Sequence, residues 1–144
     1  MQIKFKFKLD GYNYHVGFGF CIRTNETGGV FIGAIDSNPG IFGIGDYEDD
    51  LYTISDKSVT LQKNTEYNVV FTNNPEDENY VMKLYDNNIE LISTVEFLKS
   101  YIFDNEYSDI DKTKPLHFGE VLTGWGTISK FIIRDTEVKT PIRN

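Results

Sequence analysis

The stretch Ser58–Thr94, SVTLQKNTEYNVVFTNNPEDENYVMKLYDNNIELIST, decides the fold. Within it, Tyr67, Val69 and Phe71 alternate with Glu66, Asn68 and Thr72. Tyr80, Met82 and Leu84 alternate with Val81, Lys83 and Tyr85, and Ile89, Leu91, Ser93 and Val95 alternate with Glu90, Ile92 and Thr94. Side chains of a strand project to opposite faces with period two, so each run has one face to bury. Asn87-Asn88 separates the last two runs, and Asn tolerates the positive φ that a two-residue hairpin turn demands. Three consecutive antiparallel strands are predicted, with the rest of the chain stacked around them.

Working outward, Ile3 to Leu9 alternates apolar residues with Lys4, Lys6 and Lys8. A row of lysines suits an anionic ligand, but more often it keeps an edge strand from pairing with a neighbouring molecule. Tyr14 to Arg23 repeats the alternation, with Gly17 and Gly19 leaving one face nearly bare to the approach of a segment or ligand. Val30 to Ile35 is apolar throughout, and Ile41 to Gly45 reads as a short glycine-rich strand. The glycines resemble G-x-G patterns, yet none follows a strand and opens a helix, so no phosphate cradle is expected. Phe97, Leu98, Tyr101 and Ile102 fall at helical spacing and predict a short helix within Val95–Phe103. Asp104 to Lys114 reads as a loop, and Pro115–Leu122 and Thr127–Asp135 as the closing strands. Nine to eleven short strands with at most one short helix predict an all-β, two-sheet antiparallel sandwich over residues 1–136. Residues 137–144 read as a polar tail.

Composition narrows the function. The 144 residues fit one domain and bury enough surface to dispense with disulfides and metals. With 22 acidic against 14 basic residues the formal charge is −8, the wrong sign for displacing counterions from nucleic acid or for an anionic membrane. The single cysteine, Cys21, sits in an apolar run and reads as a buried thiol. The opening MQIKFKFKLD holds no continuous apolar core, so neither a signal peptide nor a transmembrane helix is expected there.

Three stretches then carry a resemblance. Leu61–Phe71, LQKNTEYNVVF, resembles the Leu-x-x-Asn-Thr-Trp-Tyr strand of laminin G-like domains. Lys83–Leu91, KLYDNNIEL, is similar to that family's next hairpin. Leu116–Gly119 followed by Gly126–Ile133 resembles its closing strands. The resemblance covers about two-thirds of the chain and implies a concanavalin A-like jelly roll that binds or builds rather than catalyses. Glycoside hydrolases of this superfamily place paired carboxylates on one strand at roughly 5–9.5 Å, and no strand here holds such a pair. Glu106-Tyr107-Ser108-Asp109 has the wrong spacing.

Other sites are few. His15 and His117 sit in strand patterns without a cysteine or histidine cluster of zinc spacing, and no serine has a nucleophile-elbow context. Trp125, between two glycines in a turn, can stack on a sugar or partner, or close the end of the sandwich; Tyr47 and Tyr107 are the accompanying candidates for ligand contact. Asp46, Asp49 and Asp50 form the densest acidic cluster, a solvated loop or a hard-oxygen calcium site without EF-hand spacing. No other cofactor is expected.

The expectation is a non-enzymatic binding or structural module, assembled in a host cytoplasm without export as a phage or viral particle component such as a head decoration or tail-fibre adhesin. Its partners would be neighbouring protein subunits, including copies of itself, or a surface glycan, and its contacts the polar tail and the Ile3–Leu9 edge. A carbohydrate-binding module from a larger secreted protein is the alternative.

Overall fold

The computed structural model describes residues 1–9, 16–23, 29–35, 41–46, 53–56, 58–74, 76–98, 117–123 and 131–139. Among them the chain is all-β, with no helix. Its strands are β1 (Gln2–Leu9), β2 (Val16–Arg23), β3 (Gly29–Ile35), β4 (Ile41–Asp46), β5 (Thr53–Asp56), β6 (Glu66–Thr72), β7 (Asn79–Tyr85), β8 (Leu91–Leu98), β9 (His117–Thr123) and β10 (Phe131–Lys139). An antiparallel five-stranded sheet has the order β10-β1-β6-β7-β8, and the remaining strands are hydrogen-bonded in the order β5-β4-β3-β2-β9.

The first sheet explains the alternation. Register sets Ile3 opposite Phe71, Phe5 opposite Val69 and Phe7 opposite Tyr67, and sets Phe71 and Val69 in turn opposite Met82 and Leu84. All eight of these side chains are buried. Full burial of one large apolar side chain contributes about 1.5–3 kcal/mol, so this one face outweighs any surface contact. Phe7 stacks on Tyr67 with ring centroids 5.5 Å apart, and Phe71 meets Tyr80 at 5.3 Å. The Tyr67 hydroxyl keeps a polar partner by accepting from the Gln62 backbone N–H at 2.8 Å.

Among the described residues, side-chain contacts join this sheet to the other group of strands. Phe5 lies edge-on to Phe118 of β9 at 6.2 Å, and the buried Ser93 of β8 donates to Asp56 of β5 at 2.6 Å.

Five expectations change. First, β1 is not an edge strand, because β10 and β6 pair with its two sides. The strand Ile3–Leu9 therefore has no free backbone to offer a neighbouring subunit. Second, Glu137–Lys139 continue β10 and pair with Gln2–Lys4, so the beginning of the polar tail is ladder. Third, Val95–Leu98 of the helix expected within Val95–Phe103 is strand, the rest lying outside the described residues: the ladder partners Tyr80 with Phe97 and Asn79 with Leu98, and tertiary pairing overrides local spacing. Fourth, the hairpin after Tyr85 has a three-residue loop, and its positive φ (62°) falls on Ile89 rather than on either asparagine. Asp86 imposes this: its carbonyl accepts from the Ile89 N–H at 3.1 Å, while its Oδ1 accepts from the N–H groups of Asn88 (2.8 Å) and Glu90 (2.9 Å). Fifth, Leu91 is exposed although it shares parity with the buried Ser93, because Ile92 is an extra residue in the β7–β8 ladder. Such a bulge shifts every side chain before it to the other face. The strand β5 carries no clear alternation and escapes a reading of the sequence.

Candidate functional site

The outward face of the first sheet holds a groove of about 510 Å³. Its cause is a difference in side-chain length. β6 presents the short Asn68 and Val70, which register places between Lys6 and Lys4 of β1 on one side and Tyr85 and Lys83 of β7 on the other. The groove thus runs along β6, lined by Lys4, Lys6, Asn68, Val70 and Tyr85, with Ile89 contributed by the hairpin and Asp135 and Glu137 by β10.

Two irregularities bring the last three residues into place. Ile89 reaches the groove through the left-handed turn that Asp86 holds, and Asn68 Nδ2 adds a 3.2 Å hydrogen bond to the same Asp86 carbonyl. Asp135 has φ 55° and sits where the β1–β10 register slips by one residue, between Lys4 and Lys6. Aspartate accepts a left-handed backbone more readily than most residues, and the resulting bulge re-aims its side chain.

Three carboxylates of this face are ion-paired. Arg134 holds Glu66 in a two-pronged pair, with Nη2 at 2.6 Å and Nε at 2.8 Å, and this keeps the Glu66 carboxyl below its usual range. Asp135 lies 3.5 Å from both Lys6 Nζ and Arg134 Nη1. Glu137 pairs with Lys139 at 2.9 Å, and the lysine holds its pKa below the ordinary glutamate value. By contrast, no carboxylate among the described residues ion-pairs directly with Lys4 or Lys83.

The residues singled out from the sequence lie elsewhere. Trp125, Tyr47, Tyr107, Asp49 and Asp50 fall outside the described residues. Asp46 closes β4 opposite Val30. Of the two histidines, His117 opens β9 opposite Cys21, and His15 is outside the described residues. Among the described residues, no group of three or more histidine, cysteine or acidic side chains is placed to hold a metal ion, and no helix is long and apolar enough to cross a membrane.

The groove itself escapes a sequence reading except for its lysine row. Its other wall and floor depend on β1 pairing with β6, strands some sixty residues apart whose register no local pattern encodes. Compared with family models, with curated proteins and with solved structures, the chain finds no match.

Proposed function

We propose that the protein is a non-enzymatic binding module with a concanavalin A-like jelly-roll fold, serving as a surface component of a phage or viral particle, a head decoration or tail-fibre adhesin. Burial of one face of β1, β6, β7 and β8 supports a sandwich, since that face needs a cover, and the Phe5–Phe118 and Ser93–Asp56 contacts supply part of one. The laminin G-like stretches overlap β6, the β7–β8 hairpin, β9 and, at Phe131–Ile133, the start of β10.

The observation that carries the binding reading is the open groove along β6. Glu137 of the groove is a poor glycosidase acid. Glycoside hydrolysis needs one carboxylic acid with a raised pKa, whereas Glu137 beside Lys139 is held in the charged form. The abundance of Asn, Asp, Ile, Lys and Tyr suits an AT-rich genome, which a phage or virus shares with many other sources.

Light scattering on the purified protein tests the assembly role. A trimer or larger ring is expected, and a monomer overturns a self-assembling subunit. A carbohydrate-binding module is the second reading, favoured by the tyrosine, amide and carboxylate groups gathered in one groove. It predicts sugar binding by the monomer on a glycan array, with Trp125→Ala separating the turn tryptophan from the groove.

A further inference from the structure

We infer that the groove along β6 takes a carboxylate-bearing saccharide chain, with Lys4 and Lys6 contacting its acidic groups and Tyr85 its ring faces; this rests on the reading of the protein as a binding module. Charge is the first argument. The outward strand positions of the first sheet carry six cations against four carboxylates, a surplus of two on a chain whose formal total is −8. Moreover, Arg134 holds Glu66 and Lys139 holds Glu137, and Asp135 is shared at 3.5 Å between Lys6 and Arg134, while Lys4 faces the groove with no direct ion pair among the described residues. The unspent charge of the groove is positive.

The second argument is where the groove lies. It sits on the face of the sheet, where β6 has both backbone edges consumed by β1 and β7. An extended peptide would find no main-chain partners there, and peptide recognition by strand addition needs a free edge. A saccharide needs only side chains: hydroxyls can donate to Asp135 and Glu137, and the C–H faces of its rings can lie against Tyr85. A nucleic acid brings one charge per about 1.7 Å of duplex, a density that a chain of net −8 repels. A saccharide with one carboxylate per sugar spaces its charge more widely, as two lysines two residues apart on a strand can match.

Calorimetric titration with tetragalacturonate, and with maltotetraose as the neutral chain of equal length, tests this. Tetragalacturonate should bind and weaken with added salt, and maltotetraose should bind at least about tenfold more weakly. The double variant Lys4→Gln, Lys6→Gln should lose about tenfold or more in affinity for tetragalacturonate, and Tyr85→Ala a comparable factor. Lys63→Gln, outside the groove, should leave affinity unchanged. All these positions are outward or exposed, so unchanged melting temperatures verify the fold.

Equal affinity for the two sugars, still lost in Tyr85→Ala, overturns the acidic ligand and leaves the binding module standing. Binding that ignores the groove variants overturns the site. Absence of binding to either sugar overturns the ligand class, while the mass in solution judges the assembly role separately. Tighter binding of a single-stranded oligonucleotide of equal charge also overturns it.

Discussion

The Ser93 hydroxyl donates to Asp56 Oδ2 at 2.6 Å, fastening β8 to β5 across 37 residues of chain. The other oxygen of Asp56 accepts from the Ser58 backbone N–H at 2.9 Å and from the Ser58 hydroxyl. Ser93 is buried, so its hydroxyl has no water to fall back on. Asp56→Ala should cost about 2 kcal/mol, since an orphaned buried donor costs roughly 1–3 kcal/mol. Ser93→Ala should cost less, because it removes the donor along with the bond. Urea denaturation of both single variants and the double variant measures the coupling.

Acid should loosen the same contact. The hydrogen bonds from Ser58 and Ser93 hold Asp56 below its ordinary value of 3.8. A carboxylate with a depressed folded-state pKa contributes stability above its unfolded value and loses it as pH falls through the folded one. Unfolding free energy should therefore drop as pH falls below about 4. Asp56→Asn should flatten that drop, while Glu66, also depressed by Arg134, retains its own share. An unchanged acid limb in Asp56→Asn refutes the assignment.

Ile89 is held in the left-handed region with 65% of its surface exposed. A β-branched residue there is strained by roughly 1–2 kcal/mol, and exposure returns little in burial. Ile89→Gly relieves the strain but frees the unfolded chain, which offsets roughly 0.5–1 kcal/mol. A net gain of up to about 1 kcal/mol in thermal unfolding is expected. If Ile89 also touches ligand, the same variant gains stability and loses affinity, a split that calorimetry reads directly.

Core and surface should separate sharply. Phe71 has no exposed surface and packs on Tyr80, so Phe71→Ala should cost about 3–5 kcal/mol. The Glu66–Arg134 pair, with half of the Arg134 side chain exposed, should contribute far less, and Glu66→Gln should matter less as salt rises. Parallel guanidinium denaturation curves compare the two.

The alternation of Tyr67, Val69 and Phe71, and of Tyr80, Met82 and Leu84, is legible in the chain because one buried face writes period two directly into residue type. Leu91 is misread for a physical reason: the Ile92 bulge shifts parity by one residue and leaves no mark on composition. The Val95–Leu98 stretch is misread because the helical spacing of Phe97 and Leu98 with Tyr101 and Ile102 carries no record of the β7 partner that draws the first two into a ladder. The lysines of β1 are visible as a row, but their meaning turns on neighbours far away in sequence. With β10 alongside, Lys6 faces Asp135 instead of solvent at a sheet edge. Tyr85 is hidden for the same reason, since nothing near it in the chain announces that Asn68 will leave a hollow beside it.

The register slips of β8 and β10 have a consequence for solubility. Both outermost strands of the first sheet are interrupted by a bulge, at Ile92 in one and next to Asp135 in the other. A fibril grows by adding straight, in-register strands to a straight rim, and a kinked rim studded with Arg134, Glu137 and Lys139 is a poor seed for that growth. Concentrated solutions of the folded protein should stay dispersed, and straightening β8 by deleting Ile92 should be the quickest route to thioflavin-positive aggregates.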